Sequence, residues 1–178
     1  MNRRRLLKSM VLTAPGILMM AKPSLGIATV SETRNLSFRH LHTNEKLTLE
    51  YFSDNQYQYE SMNRLNYLLR DFRSSEVYPI DPKLFDLLHS IKQATGSKGH
   101  FEIISGYRSP KTNSMLRNKS NGVAKRSLHM QGKAIDVRLT DVSTASVRQA
   151  AIALKAGGVG YYKKSNFVHL DTGRFRTW

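Results

Sequence analysis

The side chains that could do chemistry in this 178-residue chain gather in Ser127-Leu128-His129-Met130-Gln131-Gly132-Lys133-Ala134-Ile135-Asp136. His129 and Asp136 stand seven positions apart, and Gly132 between them allows the tight backbone path that brings an imidazole and a carboxylate together. A second imidazole, His169, lies far downstream in Asn166-Phe167-Val168-His169-Leu170-Asp171. Two imidazoles and one carboxylate are the donors of a three-ligand zinc site that keeps a fourth position for water, as catalytic sites do and structural ones do not. The chain has no cysteine, which excludes disulfides, thiolate nucleophiles, iron–sulfur clusters and Cys-ligated zinc. Any metal must therefore rest on His, Asp or Glu. Spacing alone leaves a plainer reading open, in which each histidine is an ordinary packing or hydrogen-bonding residue. On that reading Asp136 ends a strand and Asp171 caps a turn before Gly173. His40, His42, His89 and His100 are given no role.

These residues need elements to hold them. Leu36–His42 and Lys46–Phe52 alternate in part and are separated by Thr43-Asn44-Glu45, which predicts a β-hairpin. Over Gln56–Phe72, Met62, Leu65, Leu68, Leu69 and Phe72 recur at three- and four-residue spacing, which predicts an amphipathic helix. Asp81 before Pro82 reads as an N-cap with proline at the first helical position, opening a helix to about Ala94 that Gly96 ends. Phe101–Ile104 reads as a buried strand, Pro110–Asn118 as a short helix and Asn118–Ser127 as a loop. Ala134–Leu139 reads as a strand, followed by a helix from Ser143 through Leu154. Val159–Tyr162 and Phe167–Leu170 form a closing hairpin. Strands and helices mix without regular βαβ alternation, so the expected class is α+β. A small antiparallel sheet flanked by helices would carry the site in a single domain.

Charge says where such a domain works. The chain carries 28 Lys+Arg against 13 Asp+Glu, a net charge of +15. Residues 1–28 read as an export signal: Arg3, Arg4, Arg5 and Lys8 precede a modest apolar run from Met10 to Met20, and Gly26 and Ala28 offer a small-residue cleavage site. Pro15 and Gly16 interrupt the run, which is too short to span a bilayer. The paired arginines before Leu-Leu-Lys resemble a twin-arginine signal; an ordinary secretory signal or an uncleaved anchor is the alternative. Removing residues 1–28 takes away five cations and no anion, leaving 23 positive against 13 negative charges, a net +10 on residues 29–178. Outside the cytoplasm that excess suits an anionic envelope polymer, not nucleic acid.

The ordered set Ser-x-His-x-x-Gly-x-Ala-x-Asp followed by a strand histidine resembles the zinc motif of a peptidase superfamily. That superfamily includes lysostaphin-type enzymes, D-Ala-D-Ala carboxypeptidases and dipeptidases, and the zinc-binding hedgehog domain. Ser105-Gly106-Tyr107-Arg108-Ser109 is similar to its arginine-bearing segment. Gly157-Gly158-Val159-Gly160-Tyr161-Tyr162 and Asn166 through Gly173 resemble the branch of bacterial periplasmic murein endopeptidases. The likeness covers about residues 101–178, the expected metal-site region.

The resemblance implies one zinc ion per chain, held by His129, Asp136 and His169. It implies that Arg108 stabilises the developing oxyanion and that Ser127 contacts substrate, although a turn-forming role suits Ser127 as well. The implied activity is hydrolysis of peptide cross-links in peptidoglycan, with meso-diaminopimelate at the cross-link and the periplasm as the place of work. One departure stands out. Relatives carry a Glu or Asp base three residues before the last histidine ligand, and here that position is Asn166. Asp171 is the candidate replacement, either as base or as a partner that orients an imidazole. A zinc-containing peptidoglycan-binding module without turnover, and a D,D-carboxypeptidase or dipeptidase, are the competing readings.

Overall fold

The computed structural model describes residues 32–120 and 122–178; the expected export signal lies outside them. Eight strands form one sheet: β1 (Arg34–His40), β2 (Lys46–Ser53), β3 (Gln56–Tyr57), β4 (Phe101–Ser105), β5 (Ala134–Leu139), β6 (Gly158–Tyr162), β7 (Phe167–Asp171) and β8 (Arg176–Thr177). Their order across the sheet is β3-β2-β1-β4-β5-β7-β6-β8. Four helices accompany them: α1 (Tyr59–Leu68), α2 (Pro82–Thr95), α3 (Pro110–Lys119) and α4 (Thr144–Leu154). The fold is α+β. Among the described residues, no helix is long and apolar enough to cross a membrane.

The sheet is larger than the short antiparallel one expected, and it is mixed. The N-terminal hairpin buries Leu36 and Phe38 and joins through β1, which runs parallel to β4. A second parallel pairing joins β6 to β8. The central run β4-β5-β7-β6 is antiparallel throughout.

The stretch from Gln56 to Phe72 departs most from its periodicity. Asp54 and Asn55 both adopt positive φ, 51° and 60°, which is the backbone of a tight hairpin turn. Residues 56–57 therefore fold back on β2 as β3, with Phe52 opposite Tyr57. The helix starts only at Tyr59 and ends at Leu68, keeping Leu65 and Leu68 in the core. Beyond it Asp71 takes over, its backbone bonding to Ser74, Ser75 and Glu76 in a turn that sends Phe72 out of helical register.

Helix α2 ties the core to the site. The Asp81 carboxylate accepts from the Lys83 amide at 3.1 Å, Pro82 occupies the first turn, and Gly96 ends the helix at φ 65°. Leu84, Phe85, Leu88 and Ile91 are fully buried on its inner face. The same Asp81 accepts from Thr172 Oγ1 at 2.7 Å, and its amide donates to the Gly132 carbonyl at 2.9 Å. One cap therefore grips both the end of β7 and the glycine of the His–Asp motif.

Candidate metal centre

Sheet register builds the site. Strands β5 and β7 pair antiparallel with Asp136 directly opposite His169 and Ala134 opposite Asp171. Ile135, Val137, Val168 and Leu170 are fully buried. Because alternate residues face opposite sides of a sheet, these apolar residues lock the register that aims Asp136, His169 and Asp171 together. His129 arrives on a 3-10 turn, Leu128–Gln131, between the 120–127 loop and β5. Gly132 ends that turn at φ 64°, and a Cβ there would lie 2.1 Å from the Pro79 carbonyl oxygen. Only glycine satisfies both the angle and the approach.

The three candidate ligands converge. One donor atom from each of His129, Asp136 and His169 lies within 4.8 Å of the others. His129 Nε2 is 3.2 Å from His169 Nδ1 and 3.3 Å from Asp136 Oδ1, and His169 Nδ1 is 2.9 Å from the same oxygen. The outer nitrogens are committed elsewhere. His129 Nδ1 donates to the Gly106 carbonyl at 2.7 Å, and His169 Nε2 donates to Asp171 Oδ2 at 3.0 Å. With a proton on each outer nitrogen, the inner nitrogens present lone pairs towards a carboxylate oxygen. Three electron-rich atoms this close require a positive charge among them, either a proton or a metal cation. The shifts of His169 and Asp136 express the same demand. Burial works to lower the His169 pKa, but hydrogen bonds to Asp136 and Asp171 prevail and raise it. Burial lowers that of His129. The histidines hold the Asp136 carboxyl far below the usual carboxylate range despite its burial. The donor chemistry fits a borderline metal such as zinc.

Arg108, just after β4, donates from Nη2 to Asp136 Oδ2 at 3.3 Å, and burial lowers its pKa. Its Nε is buried without a hydrogen-bond partner. Ser127 is buried beside the site, with its Oγ accepting from the His129 amide at 3.4 Å, the geometry of a turn cap.

Asp171 is the residue read as either base or orienting partner. It is fully buried behind His169 and accepts from Gly158 N, Gly173 N and both terminal nitrogens of Arg176, besides the imidazole. Burial would raise its pKa, but these bonds hold it well below the usual range. Both carboxylate oxygens are thus engaged, and Oδ2 is the one bonded to His169 Nε2. Asn166, three residues before His169, sits in the β6–β7 turn at φ 52°. Its side chain accepts from Thr144 on the far side, away from the cleft.

The centre opens into a cleft of about 530 Å³. Several of its walls were not anticipated. The Trp178 ring lies 5.2 Å from that of His169, reaching it across Gly160, where a Cβ would meet the indole at 2.6 Å. Tyr162 and Phe167 stack at 4.5 Å beside it, and the Tyr162 hydroxyl accepts from the Trp178 indole at 3.1 Å. His42 and Arg73, from the N-terminal part of the fold, line the opposite side.

An open cleft over an oriented His-Asp-His cluster on an α+β sheet defines a protein of the metallopeptidase class. Residues 28–178 match the family described as Peptidoglycan L,D-endopeptidase MepK, and the chain belongs to that family. It is 40% identical over 177 residues to the Peptidoglycan L,D-endopeptidase MepK of Escherichia coli, covering 99% of this chain and 97% of that protein. The same identity and coverage hold for the protein of that name from Shigella flexneri. A probable peptidoglycan L,D-endopeptidase MepK from Haemophilus influenzae is 41% identical over 166 residues, 93% of this chain and 89% of that one.

Proposed function

We propose that this chain is an exported, zinc-dependent peptidoglycan endopeptidase that cuts peptide cross-links at meso-diaminopimelate, with His129, Asp136 and His169 as ligands to one zinc ion. The observation that carries the reading is the inner face of the cluster, where two imidazole nitrogens and a carboxylate oxygen converge while their outer atoms are held by Gly106 and Asp171. Family membership supports the activity and the substrate.

Zinc, when bound, lowers the pKa of water toward neutrality and polarises the scissile carbonyl. The chain's own residues do the rest. Asp171 and the Gly106 carbonyl keep the imidazoles in the ligating tautomer. Arg108, anchored to Asp136, lies where a fixed cation can meet the charge that grows on the carbonyl oxygen. Ser127 shapes the turn that presents His129 and borders the cleft. Trp178 walls His169 from bulk water on one side. Residues 1–28 are an export signal of twin-arginine type, and the protein works in the periplasm on peptidoglycan stems. The net positive charge of residues 29–178 suits that anionic polymer and not nucleic acid.

Digestion of purified murein tests this. The protein without residues 1–28 converts cross-linked dimers to monomers, stops on chelation and recovers when zinc is restored. Arg108→Ala lowers kcat about a hundred-fold, the scale of one lost oxyanion donor. Activity that survives chelation overturns the zinc assignment. Binding of murein without cleavage in excess zinc would show a non-catalytic module, and release of free D-Ala a carboxypeptidase.

A further inference from the structure

Four guanidiniums, from Arg73, Arg108, Arg126 and Arg176, line the cleft, against one carboxylate, that of Asp136. Two of these cations are already satisfied within the fold. Arg108 pairs with Asp136, and Arg176 pairs with Asp171 at 2.7 Å. Neither Arg73 nor Arg126 has an ion pair among the described residues, and of these two Arg73 is the one seated on an aromatic ring. Its guanidinium carbon sits 4.1 Å above the Phe72 ring. Phe72 in turn stacks on His42 at 4.0 Å and 11°, and His42 faces the same cleft.

The placement is built from the interior. Asp71 is buried, and its Oδ1 accepts from the Arg73 amide at 3.0 Å while its Oδ2 accepts from the Ser109 amide at 2.9 Å. One carboxylate thereby joins the turn carrying Arg73 to the segment carrying Arg108. The Tyr107 amide, donating to the Leu69 carbonyl at 2.8 Å, reinforces the join. Arg73 and Arg108 both line the cleft. Two cations fixed near each other with no acid assigned to the second are unfavourable until an anion arrives. Seating on an aromatic face leaves the guanidinium edge free for bidentate contact with a carboxylate.

We propose that Arg73 is a specificity-determining residue that receives the substrate carboxylate borne on the carbon next to the scissile nitrogen. This rests on the endopeptidase reading above. In a diaminopimelate cross-link, the carbon whose amino group is acylated also carries a carboxylate, so an anion stands beside the bond to be cut. Arg108 serves the carbonyl side of that bond and Arg73 the amine side.

The test compares two cross-linked dimers, one with that carboxylate free and one with it converted to the carboxamide. Wild type prefers the free acid by about ten-fold or more in kcat/KM, the scale of one charge-assisted hydrogen bond. In Arg73→Ala the preference collapses towards unity, mainly through a higher KM, and Arg73→Lys retains part of it. Arg64→Ala, which removes an exposed charge outside the cleft, keeps the wild-type preference. An unchanged preference in Arg73→Ala, or its loss in Arg64→Ala as well, overturns the assignment while leaving the endopeptidase reading intact. Cleavage of neither dimer by wild type overturns both.

Discussion

The sheet has two ends that are built on different physics. On the side of β1, β2 and α1, the interior is apolar: Leu36, Phe38, Leu49, Leu65, Leu68 and Leu69 are buried with few charges among them. On the side of β5, β7 and the His129 turn, the interior holds His129, Asp136 and Asp171, all buried. The first end stabilises itself by removing hydrocarbon from water. The second keeps charged groups inside, tolerable only because each is paired or hydrogen-bonded. Stability and chemistry are thus separable, and the molecule concentrates its cost where its function lies.

Substitutions at the two ends should have opposite effects on activity and stability. His129→Ala removes a ligand, and activity falls at least about a thousand-fold, since the metal supplies several kcal/mol to the transition state. Thermal stability without added metal should change little, because the buried positive charge requirement is relieved. Phe38→Ala should do the reverse. Truncating a buried phenylalanine costs about 3–5 kcal/mol, readable as a lower midpoint in urea, while zinc affinity of the folded fraction stays at the wild-type value. A large loss of affinity in that variant would mean the two ends are one unit.

Asp171→Asn probes the support behind a ligand. The amide keeps the shape but loses the charge that fixes the His169 tautomer, and zinc affinity falls about ten- to a hundred-fold. If Asp171 acted as base, affinity would hold and only kcat would fall.

The smallest effect is expected at Asp71, which belongs to neither end and links Arg73 to Ser109. Burial would raise its pKa, but hydrogen bonds from Thr112, Ser109 and Arg73 bring it down to about 2, below the usual carboxylate range. A depressed carboxylate stabilises the folded state above its unfolded pKa, and that contribution fades as pH falls through the folded value. Asp71 should contribute up to about 2 kcal/mol at neutral pH, lost between about pH 4 and pH 2. In Asp71→Asn that part of the acid transition should flatten, as followed by circular dichroism against pH.

What could be read from sequence was what depends on near neighbours. The hairpin over Thr43-Asn44-Glu45, the Asp81-Pro82 helix start and the Gly132 turn are each written in a few adjacent residues. The gathering of His129, Asp136 and His169 was legible through the motif and its resemblance, and their donor atoms do lie within 4.8 Å of one another. Periodicity over-extended the helix at Gln56–Phe72 because the Asp54-Asn55 turn and the Asp71 turn outcompete it at either end. Trp178, Arg73 and the committed state of Asp171 were not legible. Each depends on contacts between segments distant in the chain, such as Trp178 lying over His169 across Gly160. The departure at Asn166 also changes meaning in three dimensions, since that residue is turned away from the cleft and bonded to Thr144.

X-ray absorption at the zinc edge, on protein loaded with one equivalent of zinc, tests whether His129, Asp136 and His169 hold the ion. One bound ion per chain is expected, with two imidazole nitrogens at about 2.0–2.1 Å and further oxygen donors. In Asp136→Ala the imidazole signal should persist at weaker affinity, with one oxygen donor fewer or replaced by water. A wild-type chain that binds no zinc stoichiometrically, or one whose zinc shows no imidazole scattering, would contradict it.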